Sequence, residues 1–162
     1  MGFLFQGAAL YDSLTVAENI DFPLSRHTKL SSDERASRVR ELLGSVGLDH
    51  DLNKMPAELS GRMQRRVGLA RVFALEPGIL LFDEPTAGLA PVTAAEIGKL
   101  ILDLKSKRRM TAVVVTHDIR GARLFSDRVI LMNEGSVAAE GSFADVEKSR
   151  DHFVVQFFGD GS

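Results

Sequence analysis

The chain has 162 residues, 44% of them apolar and 26% charged, with a formal net charge of −2. That is enough for a domain with a real core, too apolar for disorder, and without the basic field that gathers nucleic acid or an anionic membrane surface. Cysteine is absent, which excludes disulfides and thiolate metal sites and fits a reducing compartment. No apolar run approaches the roughly 20 residues of a membrane-spanning helix. The N-terminus also lacks a basic stretch leading into an apolar run and a cleavage site. A cytoplasmic chain with no direct membrane insertion and no nucleic-acid partner is therefore expected.

From about residue 11 to 75 the sequence reads as helical. Thr15-x-x-Glu18 and Ser31-x-x-Glu34 are capping-box patterns, in which hydroxyl and carboxylate reciprocally satisfy the first free N–H groups of a helix. Val39, Leu42, Leu43 and Val46 follow the i, i+3, i+4, i+7 spacing of a core-facing helix, which Gly47 then stops. Ser60 is a good N-cap, and Gly61 lets the backbone approach a ligand where the first N–H groups and the positive end of the helix dipole point outward. The basic clusters Arg62, Arg65, Arg66 and 105–109 read as solvated helix faces.

Beyond Gly78 the pattern alternates. Residues 79–82, after Pro77-Gly78, form a continuous apolar run, as a strand buried on both faces does. Asp83 and Glu84 leave it at the carboxyl end, where open α/β sheets bind ligands. A helix from Pro91 to about residue 107, a strand at Thr111–Val115, a helix over about Ile119–Phe125 and a strand at 128–132 follow. Asn133-Glu134-Gly135-Ser136 is a hairpin turn into 137–140, and Ser142-x-x-Asp145 caps a short final helix. The alternation predicts an α/β fold with a parallel sheet and an antiparallel hairpin at one edge.

Taken singly these motifs are modest. A strand ending in Asp-Glu is as often a solvated strand end, His117 after Val113-Val114-Val115-Thr116 reads equally as a helix cap, and Ser60-Gly61 is an ordinary helix start. Their order changes the odds. Gln6, Leu59-Ser60-Gly61, Asp83-Glu84-Pro85-Thr86, Gly88-Leu89 and His117-Asp118 follow one another as in the ATP-binding subunits of ABC transporters, which the chain resembles from end to end. In that resemblance Gln6 is the Q-loop residue, 59–67 the signature motif and 79–84 the Walker B strand. Residues 87–91 are the D-loop, and His117 is the switch histidine. A closer likeness is to the Mla-type phospholipid-transport ATPases. It is carried by Phe5-Gln6-Gly7-Ala8-Ala9-Leu10-Tyr11-Asp12-Ser13-Leu14-Thr15-Val16-Ala17-Glu18-Asn19, by Met63 in the signature, and by the tail Val155-Gln156-Phe157-Phe158-Gly159.

The resemblance implies a P-loop NTPase-like parallel sheet with an inserted helical subdomain at about 11–75. A core at about 76–148 and a C-terminal tail at 149–162 complete it. It implies ATP and Mg²⁺, with Asp83 holding the ion largely through water and Gln6 touching the ion or the attacking water. Glu84 would orient or deprotonate that water, and His117 would hydrogen-bond the γ-phosphate. Ser60, Gly61, Arg62, Met63 and Gln64 would cover a nucleotide held by a second ATPase subunit in a head-to-tail dimer. Membrane permease subunits would tether the pair to the inner face of the plasma membrane.

Three departures stand out. The chain contains no Gly-x-x-x-x-Gly-Lys-Ser/Thr; its Gly98-Lys99 is followed by Leu100. The P-loop strand is thus expected to be missing from an N-terminally truncated fragment, leaving apolar surface and strand edges exposed. Arg62 stands where the signature has its second glycine, and Ala90 where the D-loop has aspartate. The leading expectation is an ATP-binding and ATP-hydrolysing subunit of a transporter for phospholipid or other hydrophobic substrates. The alternative is a non-hydrolysing or regulatory partner, or a decayed copy, that lends its signature face to a complete subunit. A soluble DNA-repair relative is disfavoured by the lack of a coiled-coil insertion, zinc-binding cysteines or a basic track.

Overall fold

A computed structural model describes residues 1–108 and 110–159, which form two compact units, Met1–His117 and Asp118–Ser162. The first holds β1 (Gly2–Leu4), α1 (Val16–His27), α2 (Ser32–Ser45), a 3-10 turn at Pro56–Glu58, α3 (Gly61–Phe73), β2 (Ile79–Asp83), α4 (Pro91–Arg108) and β3 (Thr111–Val115). The second holds α5 (Ile119–Phe125), β4 (Val129–Asn133), β5 (Ser136–Gly141), α6 (Phe143–Val146) and α7 (His152–Gly159). Among the described residues no helix is long and apolar enough to cross a membrane.

Both capping boxes close as the sequence predicts. Thr15 Oγ1 accepts from the Glu18 N–H while Glu18 Oε2 accepts from the Thr15 N–H at 2.7 Å, and Ser31 and Glu34 repeat the arrangement at 2.7 Å. Val39, Leu42, Leu43 and Val46 are all buried, and Gly47 turns the chain out of the helix with φ +70°. They meet Ile20 and Leu24 of α1 and Leu69 and Phe73 of α3 in one core. Asn19 is the polar centre of this cluster. Fully buried, its Oδ1 accepts from the Tyr11 N–H at 2.9 Å, and its Nδ2 lies 3.0 to 3.1 Å from the carbonyls of Tyr11, Leu14 and Thr15. One amide thereby ties residues 11, 14 and 15 of the loop that leads into α1 to the helix itself.

The strands β1, β2 and β3 make a parallel sheet in the order β1-β2-β3, with Leu4 beside Phe82 and Phe82 beside Val114. The strand β1 was not expected, because its apolar stretch is too short to carry a period. One face of the sheet, with Leu4, Leu80 and Phe82, packs on α3 and on Ile97, Ile101 and Leu104 of α4. The helix α3 lies close enough that a β-carbon on Gly68 would meet Ala8 Cβ and Leu4 Cδ1 at 3.0 Å. The other face is open: Phe3, Ile79, Val113 and Val115 are 44 to 63% exposed. Burial of β2 on both faces, expected from its continuous apolar run, is therefore wrong. The run reflects a strand with helices on one side and exposed apolar side chains on the other. The outer edges of β1 and β3 have no ladder partner among the described residues.

In the second unit Glu134 and Gly135 both adopt positive φ (46° and 79°), the signature of a two-residue hairpin turn whose twist suits its strands. The hairpin is not an edge of the parallel sheet, as expected, but a sheet of two strands; among the described residues β4 pairs only with β5 and β3 only with β2. Leu131, Val146 and Val154 form its small core, with Phe153, Phe157 and Phe158 of α7 packed against them.

Two outcomes follow from this packing. Replacing Asn19 with alanine takes the acceptor from the Tyr11 N–H and the donor from the Leu14 carbonyl, while the Tyr11 and Thr15 carbonyls keep the backbone N–H groups of Leu14 and residue 19, and urea unfolding should show a loss of about 3 kcal/mol. The backbone N–H of Thr15 and then its hydroxyl hold the Glu18 carboxyl below the usual carboxylate range, and the Ser31 N–H and hydroxyl do the same for Glu34. A depressed folded pKa gives stability that is present above the ordinary carboxyl range and is lost as pH falls through the folded value. A Glu18→Gln/Glu34→Gln double variant should melt below the parent at pH 7, and the gap should close on acidification through that window in a series of thermal melts.

Candidate functional site

The parallel ladder gathers the polar residues. Gln6 follows β1, Asp83 closes β2 with Glu84 next to it, and Thr116 and His117 follow β3, so all lie at the carboxyl ends of three adjacent strands. That end of an open α/β sheet is where strand ends and loops leave room for a ligand.

Glu84 is the most constrained of them. Its φ is +48°, a strained value for a side chain with a β-carbon, and its N–H donates to Val115 O at 2.9 Å. Thr116 Oγ1 donates to its Oε2 at 2.9 Å, the His117 N–H donates to Oε1 at 3.0 Å, and His117 Nδ1 lies 2.7 Å from Oε1. The carboxylate is thus aimed by two residues of the neighbouring strand end, with His117 itself 80% exposed over it. Thr116 was missed by sequence reasoning, although a hydroxyl between a run of valines and a histidine at a strand end was the available signal. Among the described residues the side chains of Asp83 and Gln6 carry no hydrogen bond or ion pair, so both stand free for a ligand.

The other half of the site is the start of α3. Ser60 takes extended backbone angles, and its Oγ accepts from the Met63 N–H at 3.3 Å, a true N-cap. Ser60 and Gly61 are exposed, and a β-carbon on Gly61 would meet nothing within 4 Å. Nothing in this chain's packing requires a glycine there, which leaves the helix start open to approach from outside. The remaining three candidates turn elsewhere. Met63 packs on the core, the Gln64 amide donates to Pro56 O at 2.9 Å, and Arg62 Nη2 pairs with Glu96 Oε2 of α4 at 2.5 Å. Glu96 draws the long Arg62 side chain sideways along α4.

The basic cluster is not a solvated face, contrary to expectation. Arg66 Nη1 donates to Val46 O at 2.9 Å, and Arg65 donates to Pro85 O and Ala87 O at 2.6 Å each. Lys107 to Arg109, the end of the second cluster, lie outside the described side chains. Farther along α3, Arg71 Nη2 donates to Ala8 O at 3.0 Å and Ala9 O at 2.9 Å and sits 5.4 Å over the Tyr11 ring. Ala8 and Ala9 both have positive φ (61° and 45°), so this arginine holds a strained turn just after Gln6. Burial lowers the pKa of Arg65 and Arg71 without discharging either, because a guanidinium stays protonated far above neutral pH. Carbonyls that curl inward at tight turns need such a donor fork. Which turn each arginine reaches is decided by the packing of α3 on the sheet and was not readable from spacing.

Comparison with known proteins supports the same reading. A family model described as ABC transporter matches residues 1–87. The methionine import ATP-binding protein MetN 1 of Pseudomonas putida strain KT2440 is 40% identical over 158 residues, covering 98% of this chain and 47% of that protein. The intermembrane phospholipid transport system ATP-binding protein MlaF of Escherichia coli strain K12 is 39% identical over 157 residues, covering 97% of this chain and 58% of that protein. The chain thus spans about half the length of the curated relatives it matches. A solved structure of the ATP-binding cassette MJ0796, a dimer in a post-hydrolysis state bound to ADP and Pi, superposes with a TM-score of 0.76 at 39% identity. That match covers 87% of this chain and 62% of the other. With over half its residues matched by the family model and an ATP-binding cassette of the same fold beside it, the chain belongs to the ABC transporter family.

Proposed function

We propose that the chain is part of an ATP-binding and ATP-hydrolysing subunit of a transporter, carrying two half-sites that serve different nucleotides. The observation that carries this reading is Glu84, a carboxylate held at a strand end by Thr116 and His117 beside a free Asp83. In that role Glu84 accepts a proton from, or orients, the water that attacks the γ-phosphate, and His117 contributes a hydrogen bond to the phosphate. Asp83 and Gln6 would hold Mg²⁺. Among the described residues no three His, Cys, Asp or Glu side chains cluster as metal ligands, and one carboxylate with one amide suits an ion that keeps most of its own waters. The ion would neutralise phosphate charge when bound. Residues 11–75 form the inserted helical subdomain in this reading, and Ser60 and Gly61 present their N–H groups to a nucleotide on a second subunit. The open space around Gly61 supports that assignment.

The dimer is head-to-tail and docks on membrane permease subunits at the cytoplasmic face. The phospholipid or hydrophobic-substrate reading rests on the run from Phe5 to Asn19, on Met63 and on the tail helix α7, since identities of 39% to MlaF and 40% to MetN 1 do not separate the two. A second reading, a non-hydrolysing partner that lends Ser60 and Gly61 to a complete subunit, is favoured by the absence of a Gly-x-x-x-x-Gly-Lys-Ser/Thr within these 162 residues.

Mixing experiments distinguish the readings. By itself the chain should turn over ATP no faster than its Glu84→Gln variant, because no phosphate cradle lies within it. Added to a complete homologous subunit it should raise that subunit's ATPase rate severalfold, and Ser60→Ala should weaken the effect. A partner rate that ignores the chain at every ratio would remove the trans role, and turnover by the chain alone above Glu84→Gln would show that its own half-site suffices.

A further inference from the structure

The turn that carries Glu84 is held from behind. After Glu84 at φ +48° come Pro85, which has no N–H to offer, and Gly88 at φ +72°, with Ala87 N–H donating to Glu84 O at 3.2 Å and Leu89 N–H to Thr86 O at 3.2 Å. Among the described residues these two turn bonds leave the carbonyls of Pro85 and Ala87 without backbone partners, and Pro85 and Thr86 are buried. A guanidinium fills the gap. Arg65 Nη1 donates to Pro85 O at 2.6 Å and reaches Glu84 O at 3.4 Å, while Nη2 donates to Ala87 O at 2.6 Å. The fork is planar and rigid, so it spans two carbonyls at once, which a single ammonium group cannot do.

We propose that Arg65 is a positioning residue: it locks the 84–87 turn onto α3 and so fixes the Glu84 carboxylate against Thr116 and His117. A strained positive-φ glutamate persists only where its surroundings over-determine it. Here the N–H is held by Val115, the carboxylate by Thr116 and His117, and the carbonyl side of the turn by Arg65. Arg65 also sits on the same helix as the Ser60 cap, little more than a turn further along. Resting on the function proposed above, this makes α3 a rigid bar: its start faces one nucleotide, and its arginine holds the residue that acts on another.

The test uses the chain as it is and reads the turn rather than turnover. Arg65→Met removes the fork, Arg65→Lys keeps the charge and stem, and Arg66→Met is the control, because Arg66 bonds Val46 instead. Amide exchange at Ala87 and Leu89 should quicken about tenfold or more in Arg65→Met while α1 and α2 amides hold. The NMR resonances of the His117 ring, 2.7 Å from Glu84, should shift as well. Arg65→Lys should recover less than half of the protection and is the variant to read if Arg65→Met does not fold. Arg66→Met should lower the melting temperature and move neither signal. If the Arg65 variants keep parental exchange at 87 and 89 and an unmoved His117 ring, or if exchange quickens evenly along the chain, Arg65 is no positioning residue. Failure of the ATPase reading would appear instead in the mixing experiment, with these local signals unaffected.

Discussion

Three short strands in parallel register are the constraint on which the rest of the first unit depends. With Leu4 beside Phe82 and Phe82 beside Val114, the residues that follow each strand must emerge together. Gln6, Asp83, Glu84, Thr116 and His117 are separated by more than a hundred positions at their extremes, yet they share one sheet end for that reason. An antiparallel pairing of any of the strands would send its polar end to the opposite side. The buried residues Leu80 and Phe82 hold the register by fixing which face of β2 meets α3 and α4, because a slip of one residue would turn them out to solvent.

The helix α3 is the second organising element. Its apolar side, Val67, Leu69, Val72 and Phe73, sits in the core, and Gly68 admits β1 and the following turn at close range. Its polar side then meets two backbone turns instead of water. Arg71 holds the turn after Gln6, and Arg65 holds the turn after Glu84. Both turns contain residues with positive φ that are not glycine, the kind of strain that a folded chain keeps only when other contacts outweigh it. Charged side chains here act as backbone hydrogen-bond donors in half-buried places, where water cannot readily stand in for them.

The open sheet face gives the first unit its unusual surface. Parallel sheets are ordinarily covered on both sides, because helices make their crossovers. Here Phe3, Ile79, Val113 and Val115 remain exposed on one face of the sheet. The chain spans 47% of MetN 1 and 58% of MlaF, and the match to the MJ0796 cassette covers 62% of that chain.

Much was legible before any coordinate. The capping boxes at Thr15 and Ser31, the Ser60 cap and the hairpin at Asn133 depend on contacts within a few residues, so local chemistry declares them, while the core stripe from Val39 to Val46 and the strand at Thr111–Val115 show in the spacing of their apolar residues. The order of Gln6, Ser60, Asp83, Glu84 and His117 was also readable, because a chain records order directly. Tertiary structure alone decided what depends on distance in space: that β2 is covered on one face and that Thr116 joins His117 on Glu84. It also decided the fate of Arg62, Arg65 and Arg66, which respectively pair with Glu96, clasp the Glu84 turn and bond Val46. Spacing places all three on one helix; only the packing of that helix against its neighbours sets which carbonyl or carboxylate each guanidinium can reach.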